Sequence, residues 1–256
     1  MKQSIFYLFM FCAMLYTQAQ EYIVTAPSGL VVREQPNGKR FGKIPYGAGV
    51  HVVKKLNPFS VSDNGKQIQG HWVQLNSNDL GQVIFDQNTE YTPSDLFAFN
   101  GFLMLKSEFI KLQDQEIQKY SGLKDFYLST SFKTFALKGD FFGDGFSDDL
   151  YRMTDVNGNI RLIIVNHQQN GSKIYGLGGE KDPFNISSYD FGILYKVDKQ
   201  TPLWSNYTDD FREMKDVPKN EIVKLNYDAI YVHFEESCGG GYIFWKNGKW
   251  NWLQQE

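Results

Sequence analysis

The sequence predicts a mainly β protein with little helix: a small barrel followed by a larger antiparallel β domain, either a sandwich or an open barrel. Three observations carry that expectation. Short runs rich in Val, Ile, Tyr and Phe alternate with turn residues along the chain. Asn-Gly pairs, a strong hairpin signal, recur between such runs. Amphipathic helical spacing is scarce, while 21 Phe, 15 Tyr and 5 Trp supply the large flat side chains that pack well on pleated surfaces.

Residues 1–19 hold Lys2, an uncharged apolar run from Ile5 to about Tyr16, and Ala19 before Gln20. That is the layout of a secretory signal peptide, too short in its apolar part to span a bilayer, so the mature chain is expected in the periplasm or outside the cell. The bulky Phe9-Met10-Phe11 ahead of Cys12 argues against a lipid anchor. No later run is long and apolar enough to suggest a transmembrane segment. With the signal removed Cys238 is the sole cysteine, which excludes an intrachain disulfide and leaves packing or a bound ion to stabilise the fold. The formal net charge of −3, of mixed sign, gives no footprint for nucleic acid.

Residues 20–87 are expected to form the first domain. Its runs "YIVTA", "GVHVVKK", "GHWVQL" and "GQVIF" are punctuated by Pro36-Asn37-Gly38, Pro45-Tyr46-Gly47 and Asn64-Gly65. Five short strands in this length fit a small barrel. Ala26-Pro27-Ser28-Gly29-Leu30, Val32-Arg33, Pro36, Gly42-Lys43-Ile44-Pro45-Tyr46-Gly47, Trp72-Val73 and Gly81-Gln82-Val83 together resemble the bacterial SH3 domain over residues 22–86. Val31 and Gln82 depart from the asparagine and tyrosine usual at those places. The resemblance implies an SH3-like barrel that binds rather than catalyses, with cell-wall peptide or glycan as ligand. Arg33, Tyr46, His71 and Trp72 are the polar and aromatic positions it places near a binding groove. The competing reading makes Trp72 barrel core and His71 a solvated neighbour.

Residues 88–132 open on the polar, Pro-containing "NTEYTPSDL", a boundary, and are expected to connect the domains while packing on the second. "LFAFNGFLMLKSEFIKL" suggests a strand pair turning at Asn100-Gly101. "QDQEIQKYSGL" suggests a short helix with Ile117 and Tyr120 on one face and Gly122 at its end.

Residues 133–256 form a succession of strand-like runs, with hairpin signals at Val156-Asn157-Gly158-Asn159 and Asn247-Gly248. The stretch "GDFFGDGFSDDL" has the outline of a calcium loop, with Asp140, Asp144, the Phe146 carbonyl and Asp148 at ligand positions. Phe142 stands where a further oxygen belongs, and the pattern resembles the short loop of FG-GAP or VCBS-type β repeats. Either this loop takes a weakly held calcium ion, or it is a turn whose aspartates accept local backbone hydrogen bonds. A two-residue turn at Asn247-Gly248 would set Trp245 opposite Trp250 and Ile243 opposite Trp252. Trp245, Trp250 and Trp252 would then share one face, as core or as an aromatic platform.

The chain carries no G-x-S-x-G, no Walker loop and no dinucleotide fingerprint. Cys238 and His233 lie five residues apart, which places them on opposite sides of a strand. The expectation is an exported, non-catalytic binding protein of the envelope. Its alternatives are an assembly component that binds another envelope protein, and, less favoured by the residues, a cell-wall hydrolase.

Overall fold

The computed structural model describes residues 20–63, 65–86, 94–208, 210–235 and 239–256. The signal segment, Asn64 of the Asn64-Gly65 turn, the boundary stretch 88–93 and Cys238 lie outside the described residues. The fold is mainly β, a curled antiparallel sheet followed by two further antiparallel sheets.

The first sheet contains β1 (Glu21–Val24), β2 (Leu30–Arg33), β3 (Arg40–Ile44), β4 (Gly49–Asp63), β5 (Lys66–Leu75), β6 (Ile84–Phe85), β7 (Leu96–Phe99) and β8 (Leu103–Leu105). Their order is β6-β3-β2-β7-β5-β4-β1-β8. Alternation along the strands fills the inner face: Leu30, Val32, Val73, Leu75, Leu96 and Ala98 all enter one buried cluster. The hairpin of β4 and β5 is the longest element, and bulges between Val52 and Lys54 and between Lys55 and Pro58 interrupt its ladder. Pro58, which has no N–H to donate, sits at one of these irregularities.

The middle segment departs from expectation in three ways. The strands expected as a hairpin about Asn100-Gly101 exist but do not pair with each other: β7 joins β2 and β5, and β8 joins β1. Asn100–Phe102 is a single 3₁₀ turn, and the Asn100 side chain accepts the His71 N–H at 2.7 Å, so this residue anchors β5 instead of closing a hairpin. The helix also lies earlier than expected, as α1 (Lys106–Ile117), because Phe109, Gln113 and Ile117 fall four apart on one buried stripe. β7 and β8 thus belong to the first sheet.

The second sheet is built from β9 (Tyr127–Leu128), β10 (Ala136–Gly139), β11 (Asp148–Thr154), β12 (Ile160–Gln168) and β13 (Gly171–Leu177). The third is a meander of β14 (Ile193–Val197), β15 (Ala229–His233), β16 (Gly240–Lys246) and β17 (Lys249–Gln255). These two sheets pack face to face as a sandwich, with Leu150, Leu162, Ile164 and Leu177 meeting Leu194, Ile230, Val232 and Ile243. The opposite face of the second sheet, through Tyr151, Met153, Ile163 and Val165, packs on Phe109 and Ile117 of α1 and on Ile23 and Tyr46 of the first sheet. The central strands β11 and β12 are therefore buried on both faces, which explains the continuous apolar run Leu162–Val165 of β12.

Candidate ligand groove

An aromatic concavity lies on the first sheet. Val73 and Leu75 point into the core, so Trp72, the neighbour of Val73 along the strand, points to the opposite face. There it packs on Phe59, with ring centroids 4.9 Å apart, and Phe59 packs in turn on Phe99 at 5.8 Å, which meets Phe102 at 5.9 Å. Glycines make this aromatic wall buildable. A Cβ at Gly70 would come within 2.7 Å of the Phe99 ring, and one at Gly101 within 2.3 Å. The facing wall is the Ala26–Gly29 turn and the start of β2. Pro27 presets the turn, the Gly29 N–H donates to the Ala26 carbonyl at 2.9 Å, and Gly29 takes φ +89°. Between the walls lies a cavity of about 670 Å³.

Polar groups sit at its margins. Arg33 donates through Nη1 to the Gly38 carbonyl at 2.7 Å, and no acceptor among the described residues takes its other guanidinium nitrogens. Asp63, at the tip of β4, also lines the cavity and has no cationic partner among them. Trp72 is only 6% exposed and its Nε1–H has no acceptor among the described residues. A buried donor without a partner is uncommon in folded proteins.

Of the four residues singled out from sequence, the structure brings Arg33 and Trp72 into this groove and leaves Tyr46 and His71 out of it. Tyr46 is buried where the first sheet meets α1, 6.0 Å from the Phe109 ring, and burial raises its phenol well above the usual range, with Asp149 adding to the effect. His71 pairs across the hairpin with Pro58. Phe59, Phe99, Phe102 and Asp63 were not legible as site residues. The only signal was two phenylalanines flanking Asn100-Gly101, which reads equally well as a hairpin.

The Asp140 loop closes on itself. Asp140 accepts from the N–H groups of Gly143, Asp144 and Gly145 at 2.7–3.2 Å. Asp144 accepts from the Phe146 N–H at 3.0 Å and from the Asn166 amide at 2.9 Å. Asp148, fully buried, accepts from the N–H groups of Phe141 and His167 and from Asn166. Each oxygen of these three carboxylates accepts at least one hydrogen bond from the fold. Phe146, whose carbonyl is the remaining candidate, has an exposed side chain.

The tryptophan hairpin has the expected register, with Trp245 opposite Trp250 and Ile243 opposite Trp252. Its face is turned into the sandwich. Trp250 and Trp252 pack on the inter-sheet core, and Trp245 and Trp250 both meet Phe142. His233 stacks parallel to Tyr231, 5.9 Å away, and Nδ1 lies 2.5 Å from the Phe234 carbonyl. No described helix is long and apolar enough to cross a membrane.

Compared with family models, curated proteins and solved structures, the chain matches none.

Proposed function

We propose that this chain is an exported, non-catalytic binding protein of the bacterial envelope that holds cell-wall peptide or glycan in the groove between β2 and the Phe59–Trp72–Phe99 wall. The observation that carries this reading is the groove itself: an aromatic concavity of about 670 Å³ with, at its margins, a cation and an anion that have no ion-pair partner among the described residues. Ligand sites commonly combine an apolar lining with a few polar groups that fix orientation. The resemblance of residues 22–86 to bacterial SH3 domains, together with the amino-terminal signal-like segment, supports the envelope as the place of action.

The test is co-sedimentation with isolated sacculi. Retention is expected for the protein and is expected to fall about tenfold for Arg33→Ala, as a charge-assisted contact is lost. No retention by sacculi, together with capture of one specific envelope protein, would replace this reading with the assembly role.

A further inference from the structure

The two strands that flank the groove part company inside it. β2 and β7 meet at the single pair Arg33 and Phe97. Continuing that antiparallel register by two residues would set Val31 opposite Phe99, yet these two are unpaired and both line the cavity. On its other side β2 is laddered to β3 from Leu30 to Arg33, and β7 is laddered to β5 from Leu96 to Phe99. An antiparallel ladder uses the N–H and C=O of alternate residues, so part of the backbone between Leu30 and Val32 faces the parting with no strand beside it among the described residues. Unpaired backbone groups at the edge of a sheet form a template for another strand.

Resting on the groove reading above, we propose that the bound part of the wall is its peptide, held extended as an added strand in the parting between β2 and β7, and that glycan is not read there. Two further observations favour a peptide. The aromatic rings spend their faces on one another: Phe59 lies over Trp72, and Phe99 meets both Phe59 and Phe102 edge to face, with interplanar angles of 80° and 77°. Trp72 and Phe99, 6% and 5% exposed, are thereby closed to the face-on stacking that a sugar ring makes. Arg33 and Asp63, neither with an ion-pair partner among the described residues, complement the carboxylate and amine that a short peptide carries and a neutral glycan lacks.

The experiment titrates the isotopically labelled protein with two probes, sugar-free stem peptide released from sacculi and a tetramer of N-acetylglucosamine, alongside sacculus co-sedimentation. Stem peptide is expected to shift the Trp72 indole N–H resonance, assigned through Trp72→Phe, and to slow amide exchange in Leu30–Val32 about tenfold or more; the tetramer is expected to do neither. Arg33→Ala, checked for a native spectrum, should weaken the peptide response about tenfold. Retention on sacculi with a silent stem peptide, or a Trp72 shift caused by the tetramer, sinks the peptide inference and leaves the wall-binding reading standing. A peptide that binds without altering exchange in Leu30–Val32 overturns the added strand. Loss of sacculus retention sinks both.

Discussion

Phe142 gives one position of the Asp140 loop to aromatic packing. It occupies the position where a calcium loop would place an oxygen, and its ring instead lies 4.7 Å from Tyr175, 5.1 Å from Trp245 and 5.3 Å from Trp250. The loop shape is kept by aspartates accepting backbone N–H groups, while the third position is spent on packing. Asp148 carries the electrostatic cost of that arrangement. Burial raises its carboxyl from the ordinary range to about 6, against the opposing pull of its Phe141, Asn166 and His167 hydrogen bonds, and nearby Asp144 raises it further. Because the folded value lies above the unfolded one, the protonated form favours folding. That contribution is complete below about pH 4 and is lost as pH rises through about 6. Stability is therefore expected to rise by roughly 1–2 kcal/mol between pH 7 and pH 5 from this group. Urea denaturation at the two pH values checks it, and Asp148→Asn should flatten the difference even though it weakens the acceptor for Phe141. Arg152 is a second fully buried charge. Its guanidinium lies 4.1 Å over the Phe132 ring with all three nitrogens unpartnered among the described residues, and burial lowers it to about 10, so it keeps its charge at neutral pH.

Among the elements, the junction between the first and second sheets depends on a single glycine. Gly47 takes φ +80°, and a Cβ there would stand 1.8 Å from the Ala136 carbonyl oxygen. The same approach lets the Gly49 N–H donate to the Lys133 carbonyl at 2.9 Å and Ala48 bridge to Thr134. Gly145 provides the comparison, because its φ is +85° and nothing lies within 4 Å of a Cβ placed on it. Gly145→Ala is expected to cost about 1 kcal/mol, the backbone term alone. Gly47→Ala is expected to cost at least ~3 kcal/mol, since backbone has to move as well. Chemical denaturation of the two variants measures the difference, and equal losses would show that the junction is not held where Gly47 puts it. The hairpin of β16 and β17 was readable residue by residue because a two-residue Asn-Gly turn fixes its register locally. β7 and β8 were not, since their partners lie far away in sequence and no local rule selects them.

At the scale of the whole molecule, the core shared by Ile23, Tyr46, Phe109, Ile117, Tyr151 and Ile163 joins the first sheet to the sandwich through α1. Lys43 of β3 adds an ion pair to Asp198, which in turn meets Lys196. Burial continuous across the junction predicts one cooperative unfolding transition, with calorimetric and van't Hoff enthalpies in agreement. Two resolved transitions would mean that the first sheet folds apart from the sandwich. The sequence by itself determined the β class, the succession of strands and the local hairpins, because side-chain alternation and turn chemistry act between near neighbours. Only the tertiary structure decided that β7 and β8 complete the first sheet, that Trp72 faces away from its core, and that β2 and β7 separate to leave a groove. Those outcomes depend on which distant strands compete for the same edge, and a local pattern does not encode that competition.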